Sequence, residues 1–207
     1  MEKIDFKKEY KTLFRASDKK VSYVEVPDFK YIMLSGQGAP ENNPSFQEAI
    51  EVLYSIAYTM KFMLKFNKDL QPAGYFEYVI PPLEALYWME GLDFNPDELD
   101  KWEWTMMIMM ADYITDELIN KAKDEAKKKK ELPGLKKMQF KKLSEGKAAQ
   151  IMHIGPYNEV ERSIRIILND FSEKGYKFKD KCHELYFSDP RRVPPEKLKT
   201  LIRMPYE

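Results

Sequence analysis

This sequence has very little cysteine and histidine. Its 207 residues include one cysteine, Cys182, and two histidines, His153 and His183. A single thiol cannot form an internal disulfide, so we expect a reducing compartment, the cytoplasm. These three residues also lack the spacing of a zinc site, and we expect neither a metal nor any other cofactor.

Net charge is also absent, because 34 Lys and Arg residues balance 34 Asp and Glu residues. Without a long-range positive field, nucleic acid is not an expected partner. The lysine cluster at 127–130 fits the solvated end of a helix. The longest apolar run, at 106–111, is far below the roughly 20 residues of a membrane span. The start of the chain has no apolar segment either, so we expect neither secretion nor membrane insertion.

Several catalytic motifs are missing as well. The run Gly36-Gln37-Gly38 continues into Ala39-Pro40 instead of a third glycine and a helix, which indicates a turn and not a dinucleotide site. The chain contains no Gly-x-Ser-x-Gly motif. Cys182 and His183 are neighbours in a predicted strand and point to opposite faces, so they cannot act as a nucleophile pair. We interpret Cys182 as structural.

A repeated order of elements is present: strand, strand, long helix, strand, strand. The first set is predicted at 21–26, 29–35, 44–67, 83–89 and 102–110, with a further extended segment at 75–80. The second set is predicted at 138–143, 147–154, 158–174, 182–187 and 198–204. The order predicts an α+β fold of two pseudo-symmetric β-α-β-β modules with antiparallel sheets, long helices on one face and a ligand cleft between the halves. We expect a single domain over 1–207, with halves at about 20–110 and 137–207 linked by a helix at about 113–130.

The two halves can be aligned, because 84–88 matches 183–187. We expect the helix-free sheet faces to meet and enclose the cleft. In the second of these strands, Glu184 and Tyr186 share one face while Leu185 and Phe187 share the other. If Leu185 and Phe187 face the helix, Glu184 faces the cleft, where a carboxylate is paired, protonated or kept for a ligand. An ordinary solvated glutamate is the alternative.

Five short motifs together resemble the GyrI-like small-molecule-binding proteins. They are Pro81-Pro82-Leu83-Glu84, Trp102-x-Trp104-x-Met106-Met107-Ile108, His153-Ile154-Gly155-Pro156-Tyr157, His183-Glu184-Leu185-Tyr186, and Ser188-Asp189-Pro190-Arg191-Arg192 continuing through Pro195-Glu196-Lys197-Leu198-Lys199. The resemblance implies an aromatic-walled site with a buried glutamate, which falls on Glu184. A second pocket carboxylate of some members would fall at 199–202, where this chain has none.

Two functions follow from this resemblance. One is the binding of flat, hydrophobic or cationic aromatic molecules, with walls formed by Tyr87, Trp88, Trp102, Trp104 and Met106, although packing in the core is an alternative for each aromatic residue. The other is a detoxifying hydrolase that opens the cyclopropane ring of DNA-alkylating cyclopropanoids.

In that hydrolase, Glu184 would be the general base and Tyr186 or Tyr157 the donor. A third function, direct inhibition of DNA gyrase, is suggested only by the family name. The resemblance further implies a standalone protein without a helix-turn-helix, acting as a monomer or homodimer on a hydrophobic aromatic small molecule.

Overall fold

The computed structural model describes residues 3–40, 43–89, 101–179 and 181–207. Within them, the helices are α1 (Phe6–Glu9), α2 (Pro44–Phe66), α3 (Asp116–Lys127) and α4 (Val160–Lys174). The strands are β1 (Ser22–Val26), β2 (Phe29–Gln37), β3 (Leu83–Trp88), β4 (Glu103–Met110), β5 (Gln139–Leu143), β6 (Gly146–Ile154), β7 (Cys182–Tyr186) and β8 (Lys199–Pro205). The predicted α+β class is therefore confirmed.

All eight strands found in the described residues form one antiparallel sheet in the order β1-β6-β8-β7-β3-β4-β2-β5. The expectation that two separate sheet faces meet is wrong, because the halves join edge to edge through β3 and β7. The outer strands are exchanged: β1 of the first half pairs with β6, and β5 of the second half pairs with β2. The order reads the same from both ends once equivalent strands are matched, which is the predicted pseudo-symmetry.

The long helices begin and end where local sequence favours it. The side-chain oxygen of Asn43 accepts hydrogen bonds from the N–H groups of Ser45 and Phe46 and caps α2, with Pro44 at the first helical position. Gly175 ends α4 in the left-handed conformation, at φ 73°. Helix α2 packs on β2 and β4, and α4 packs on β6 and β8. The central strands β3 and β7 therefore form the floor between the two helices.

The N-terminal segment covers part of the opposite sheet face. Leu13 and Phe14 are buried, and the Phe14 ring contacts Phe187 edge-on at 6.4 Å. The Gln150 amide donates hydrogen bonds to the carbonyl oxygens of Thr12 and Arg15. These contacts cover the face opposite the helices in the second half of the sheet.

The segment at 75–80 forms an isolated bridge between Tyr78 and Ile4, not a strand of the sheet. Part of the predicted first half, residues 90–100, lies outside the described residues. None of the helices in the described residues is long and apolar enough to cross a membrane.

Candidate functional site

Strand β7 divides its side chains between two buried faces. Cys182 packs with Ile164 and Ile167 of α4, so Cys182, Glu184 and Tyr186 lie on the helix-bearing face. One orientation considered from the sequence has Leu185 and Phe187 facing the helix. The structure shows the reverse, because both lie on the face that the N-terminal segment covers. Glu184 lies on the floor between α2 and α4 instead of on a helix-free face.

Three hydroxyl and carboxyl groups form a chain on this floor. The Tyr186 hydroxyl donates to Glu184 Oε2 at 2.9 Å, and the Tyr87 hydroxyl lies 2.9 Å from the Tyr186 hydroxyl. Because the Tyr186 proton is used toward Glu184, the Tyr87 hydroxyl donates to the Tyr186 oxygen when Glu184 is ionised. The chain crosses from the first half to the second at the β3–β7 pair.

Burial controls the ionisation of this chain. Glu184 is 5% exposed. Burial raises its pKa to about 7, while the Tyr186 hydrogen bond and the charge of His183 act in the opposite direction. Burial also raises the pKa of Tyr87 and Tyr186 well above the ordinary value of tyrosine. The tyrosines are thus neutral donors, and the carboxyl group titrates near neutral pH.

Exposure increases from Glu184 toward the solvent. The Tyr157 ring meets the Tyr186 ring edge-on at 5.5 Å and an angle of 79°, and Tyr157 is 38% exposed. The Tyr157 hydroxyl makes a long hydrogen bond of 3.4 Å to the Ser188 carbonyl oxygen. Gly155, at φ 145°, and Pro156 form the turn that leads into Tyr157. Tyr157 is therefore the accessible tyrosine of the group, with Glu184 beneath.

The other aromatic residues predicted for the site are divided. The Trp102 ring contacts the Tyr87 ring at 5.1 Å. Trp88 follows Tyr87 and lies on the opposite sheet face, where its ring is 3.8 Å from the Lys181 ammonium group. Trp104 and Met106 share the helix-bearing face but are fully buried in the core, where Trp104 packs edge-on against Phe46. The structure thus brings Tyr87, Trp102, Tyr157, Glu184 and Tyr186 together and places Trp88 on the other face. Trp104 and Met106 lie directly opposite Tyr87 and Ala85 but are buried in the core.

Sequence reasoning missed two contributors on the same face. Tyr54 of α2 interacts electrostatically with Tyr157 and with Asp189 of the loop after β7. A signal for Tyr54 exists, because it begins a series of aromatic residues spaced by four along α2, namely Tyr54, Tyr58, Phe62 and Phe66. The other is Thr200, directly opposite Tyr186 on β8, whose buried hydroxyl has no hydrogen-bond partner among the described residues. A ligand or a water molecule could satisfy that hydroxyl.

A separate cavity of about 290 Å³ shares no lining residue with this cluster. Its carboxylates, Glu9 and Asp112, are exposed. We prefer the Glu184 cluster as the candidate site because a buried carboxyl group with a shifted pKa is typical of functional sites. In the described part of the chain, no group of three or more potential ligand residues could hold a metal ion. The cavity is lined by Ile4, Phe6, Glu9, Tyr10, Phe29, Phe76, Met109, Met110 and Asp112.

The pseudo-symmetric fold and the aromatic floor around a buried carboxyl group define a small-molecule-binding protein. The chain belongs to the GyrI-like family, since residues 19–207 match the GyrI-like small molecule binding domain. An uncharacterized conserved protein from Listeria innocua is 35% identical, with 99% of this chain and 100% of that chain covered at a TM-score of 0.89.

Other similar structures differ in how closely they are related. A hydrolase from Listeria innocua is 34% identical, with all of both chains covered at a TM-score of 0.88. The C-terminal domain of EcmrR is 13% identical, with 91% of this chain and 97% of that chain covered at a TM-score of 0.56, and this likeness concerns the fold alone. No curated protein matches the chain. The family resemblance inferred from the five motifs is confirmed.

Proposed function

We propose that this protein binds flat, hydrophobic, cationic aromatic molecules between α2 and α4, with Glu184 as the counter-ion. The observation that carries the proposal is the buried carboxyl group of Glu184 beneath the exposed Tyr157 ring and the partly buried Tyr186 ring. A desolvated carboxylate is costly, and a bound cation would offset that cost. We further propose that the protein acts in the cytoplasm, as a monomer or homodimer, on compounds that have entered the cell.

The expected selectivity is broad. Ring stacking and cation-π contacts with Tyr157, Tyr186 and Tyr54 are each worth roughly 0.5–2 kcal/mol and do not require one ligand shape. Thr200 supplies an additional polar group on the neighbouring strand. The charge of the ligand, more than its outline, should therefore govern affinity.

Titration with a flat cationic dye tests this proposal. Glu184→Gln keeps the side-chain shape and removes the charge, so affinity for the cation should fall by about 10- to 100-fold, the usual worth of a charge-assisted hydrogen bond. Affinity for a neutral flat dye should change little. Glu173→Gln, on the exposed surface of α4, is the matched control. Equal affinities of wild type and Glu184→Gln for the cation would contradict the proposal.

A hydrolase that opens a cyclopropane ring is the second candidate, favoured by the 34% identical hydrolase and by a carboxyl pKa of about 7. A general base works best with a pKa near the operating pH. In this reaction, the Glu184 carboxylate takes a proton from water as the water oxygen bonds to a ring carbon. The carbon–carbon bond breaks, and its electrons move to the substrate carbonyl oxygen. Tyr157 is the better donor to that oxygen, because the Tyr186 proton is already used toward Glu184.

Mass spectrometry of a cyclopropanoid incubated with the protein tests this second function. Turnover adds the mass of one water, and Glu184→Gln should lower it by about 10²- to 10⁴-fold, because an amide cannot accept the proton. Tyr157→Phe should lower turnover with little effect on dye affinity. An unchanged cyclopropanoid together with saturable dye binding would support the binding protein and reject the hydrolase.

A further inference from the structure

Directly behind the site, the opposite sheet face holds a buried ionic cluster. His183 Nδ1 lies 3.0 Å from Glu145 Oε1, and His183 Nε2 lies 2.8 Å from Glu84 Oε2. The Arg203 guanidinium donates to Glu145 Oε2 at 3.2 Å. The four side chains are at most 4% exposed. Neither proposed function above uses any of them.

The geometry determines the charge of His183. An ionised carboxylate only accepts hydrogen bonds, so two carboxylates at both ring nitrogens require a proton on each nitrogen. The ring is therefore an imidazolium, and its pKa is raised to about 9, with Glu145 the largest cause opposing the effect of burial. The same contacts lower the pKa of Glu145 to about 2. Arg203 adds a second positive charge beside Glu145.

We infer that His183 is a positioning residue for Glu184, acting through the sheet as a fixed positive charge that favours the carboxylate form. The inference rests on the proposed function of Glu184. The two residues are consecutive in β7, so only the thickness of the strand separates their charges, and the buried surroundings screen that interaction little. Glu84 and Glu145 hold the ring at that place.

The other groups that face Glu184 offer no comparable charge. Cys182 on the same strand is buried, and burial raises the pKa of its thiol well above the ordinary value, so the thiol is neutral. Tyr186, Tyr87 of β3 and Tyr157 before α4 are neutral hydroxyls. The residues directly opposite Glu184, on β3 and β8, are Ala85 and Ile202.

Farther out on the same face, the titratable groups include His153 of β6, Tyr54 of α2, and Asp189 with its partners Arg191 and Arg192. Burial lowers the pKa of His153, so its ring is neutral at pH 7. Arg192 is 85% exposed, so solvent screens its charge. Tyr54 is neutral, since burial raises the pKa of its hydroxyl. Arg191 Nε lies 2.9 Å from Asp189 Oδ1, so these two charges largely cancel. His183 is thus the cation nearest to Glu184 among the described residues, and Glu84 and Glu145 offset part of its charge.

The inference predicts opposite effects from two variants of one cluster. His183→Gln removes a positive charge and should raise the titration midpoint of Glu184 by roughly one pH unit. Glu84→Gln removes a negative charge while Glu145 still holds the imidazolium, so it should lower the midpoint by up to about one unit. The double variant removes one charge of each sign and should return the midpoint close to the wild-type value. A merely structural role would not give opposite signs.

The midpoint is measured without any ligand, by NMR of isotope-labelled glutamate carboxyl groups, with the Glu184 signal assigned from its absence in Glu184→Gln. Cation binding gives a second reading. A midpoint one unit higher leaves roughly a tenth of Glu184 ionised at pH 7 instead of half, so dye affinity should fall about 5-fold, and Glu84→Gln should raise it by up to about 2-fold.

Shifts in the same direction, or no shift, in the folded single variants would overturn the inference. If His183→Gln does not fold, Glu84→Gln and the double variant decide, because a downward shift in the first and its cancellation in the second are still required. Shifted NMR midpoints without any dye binding would reject the binding function and leave the electrostatic coupling standing. Dye binding that depends on Glu184, together with unshifted midpoints, would support the binding function and reject the electrostatic coupling.

Discussion

The two halves of the chain build the same half-sheet from different side chains. The β3–β7 ladder is symmetric about its middle pair, so Ala85 of the first half and Glu184 of the second occupy equivalent positions. Tyr87 and Tyr186 are likewise equivalent, and their hydroxyls meet across the axis. The symmetry supplies a matched pair of neutral tyrosines, whereas the carboxyl group occurs once. The site is therefore asymmetric on a symmetric scaffold.

The strands next to this ladder differ in the same way. Met107 stands beside Glu84 in the first half, while Arg203 stands beside the equivalent His183 in the second. Trp104 pairs with Gly36 in the first half, and Thr200 pairs with His153 in the second, so large and small side chains are interchanged. The first half is mainly apolar packing, and the second half carries most of the buried polar chemistry. Backbone symmetry thus does not require chemical symmetry.

Replacing Arg203 with the methionine of the other half should have the largest effect. Arg203→Met leaves Glu145 buried with only His183 as a cationic partner, and also removes the hydrogen bond to the Leu13 carbonyl oxygen. We expect the free energy of unfolding at pH 7 to fall by about 3–5 kcal/mol in urea denaturation. Arg192→Met, whose side chain is 85% exposed in the wild type, is the control and should change it by less than about 0.5 kcal/mol. An unchanged urea midpoint for Arg203→Met would show that the second half is as stable with an apolar residue at this position as the first half is with Met107.

Removing the charge of Glu184 should make the protein more stable at high pH. The folded pKa of about 7 lies above the ordinary glutamate value of 4.5, so the folded state binds more protons than the unfolded state between these values. Stability contributed by this group is therefore present below pH 4.5 and lost as the pH rises to about 7. At pH 8, Glu184→Gln should be more stable than wild type by about 3 kcal/mol, and at pH 4 the two should be equal.

Denaturant unfolding at several pH values checks this expectation, with Glu173→Gln as the matched surface variant. A stability difference between wild type and Glu184→Gln that is the same at pH 4 and pH 8 would contradict a raised folded pKa. It would also mean that burying the Glu184 charge does not lower the free energy of unfolding, so that Glu184 would be no more costly to bury than the equivalent Ala85.

The interchange of large and small residues predicts a smaller effect. A Cβ atom on Gly36 would lie 2.2 Å from the Trp104 ring, so Gly36→Ala should lower the free energy of unfolding by about 1–3 kcal/mol. In a Trp104→Leu background the same change should cost much less, because the obstructing ring is gone. A double-mutant cycle measured by thermal unfolding gives the coupling. Equal costs in both backgrounds would mean that Gly36 is not there to admit Trp104.

Local chemistry made much of the fold predictable from the sequence. The match of 84–88 with 183–187 is the same equivalence that the β3–β7 register gives. The start of α2 at residue 44 and the end of α4 at residue 174 were also predicted correctly, because the Asn43 cap and the Gly175 stop each depend on a few adjacent residues. Strands β1 and β6 were both predicted, but their pairing was not, since pairing across most of the chain leaves no local signal.

The orientation of β7 could not be predicted for a physical reason. Alternation divides a strand into two faces but does not say which face meets a helix, and Cys182, His183, Glu184 and Leu185 are all buried. Both faces therefore look like core. The separation of Trp88 from Tyr87, by contrast, follows from alternation alone, because adjacent strand residues point to opposite faces. Long-range ion pairs such as Glu145 with Arg203 depend on the register of distant strands.

The exchange of β1 and β5 between the halves has a consequence for how the chain is made. During synthesis on the ribosome, β2 and α2 emerge long before β5. The outer edge of β2 therefore has no strand partner until β5 has been synthesised. An open edge of this kind exposes a row of unpaired N–H and C=O groups and invites association with other nascent chains. Strand β1 likewise has nothing to pair with until β6 is released. We therefore expect a fragment ending after β4 to require a chaperone or to aggregate, and productive folding to begin only when the second half has left the exit tunnel.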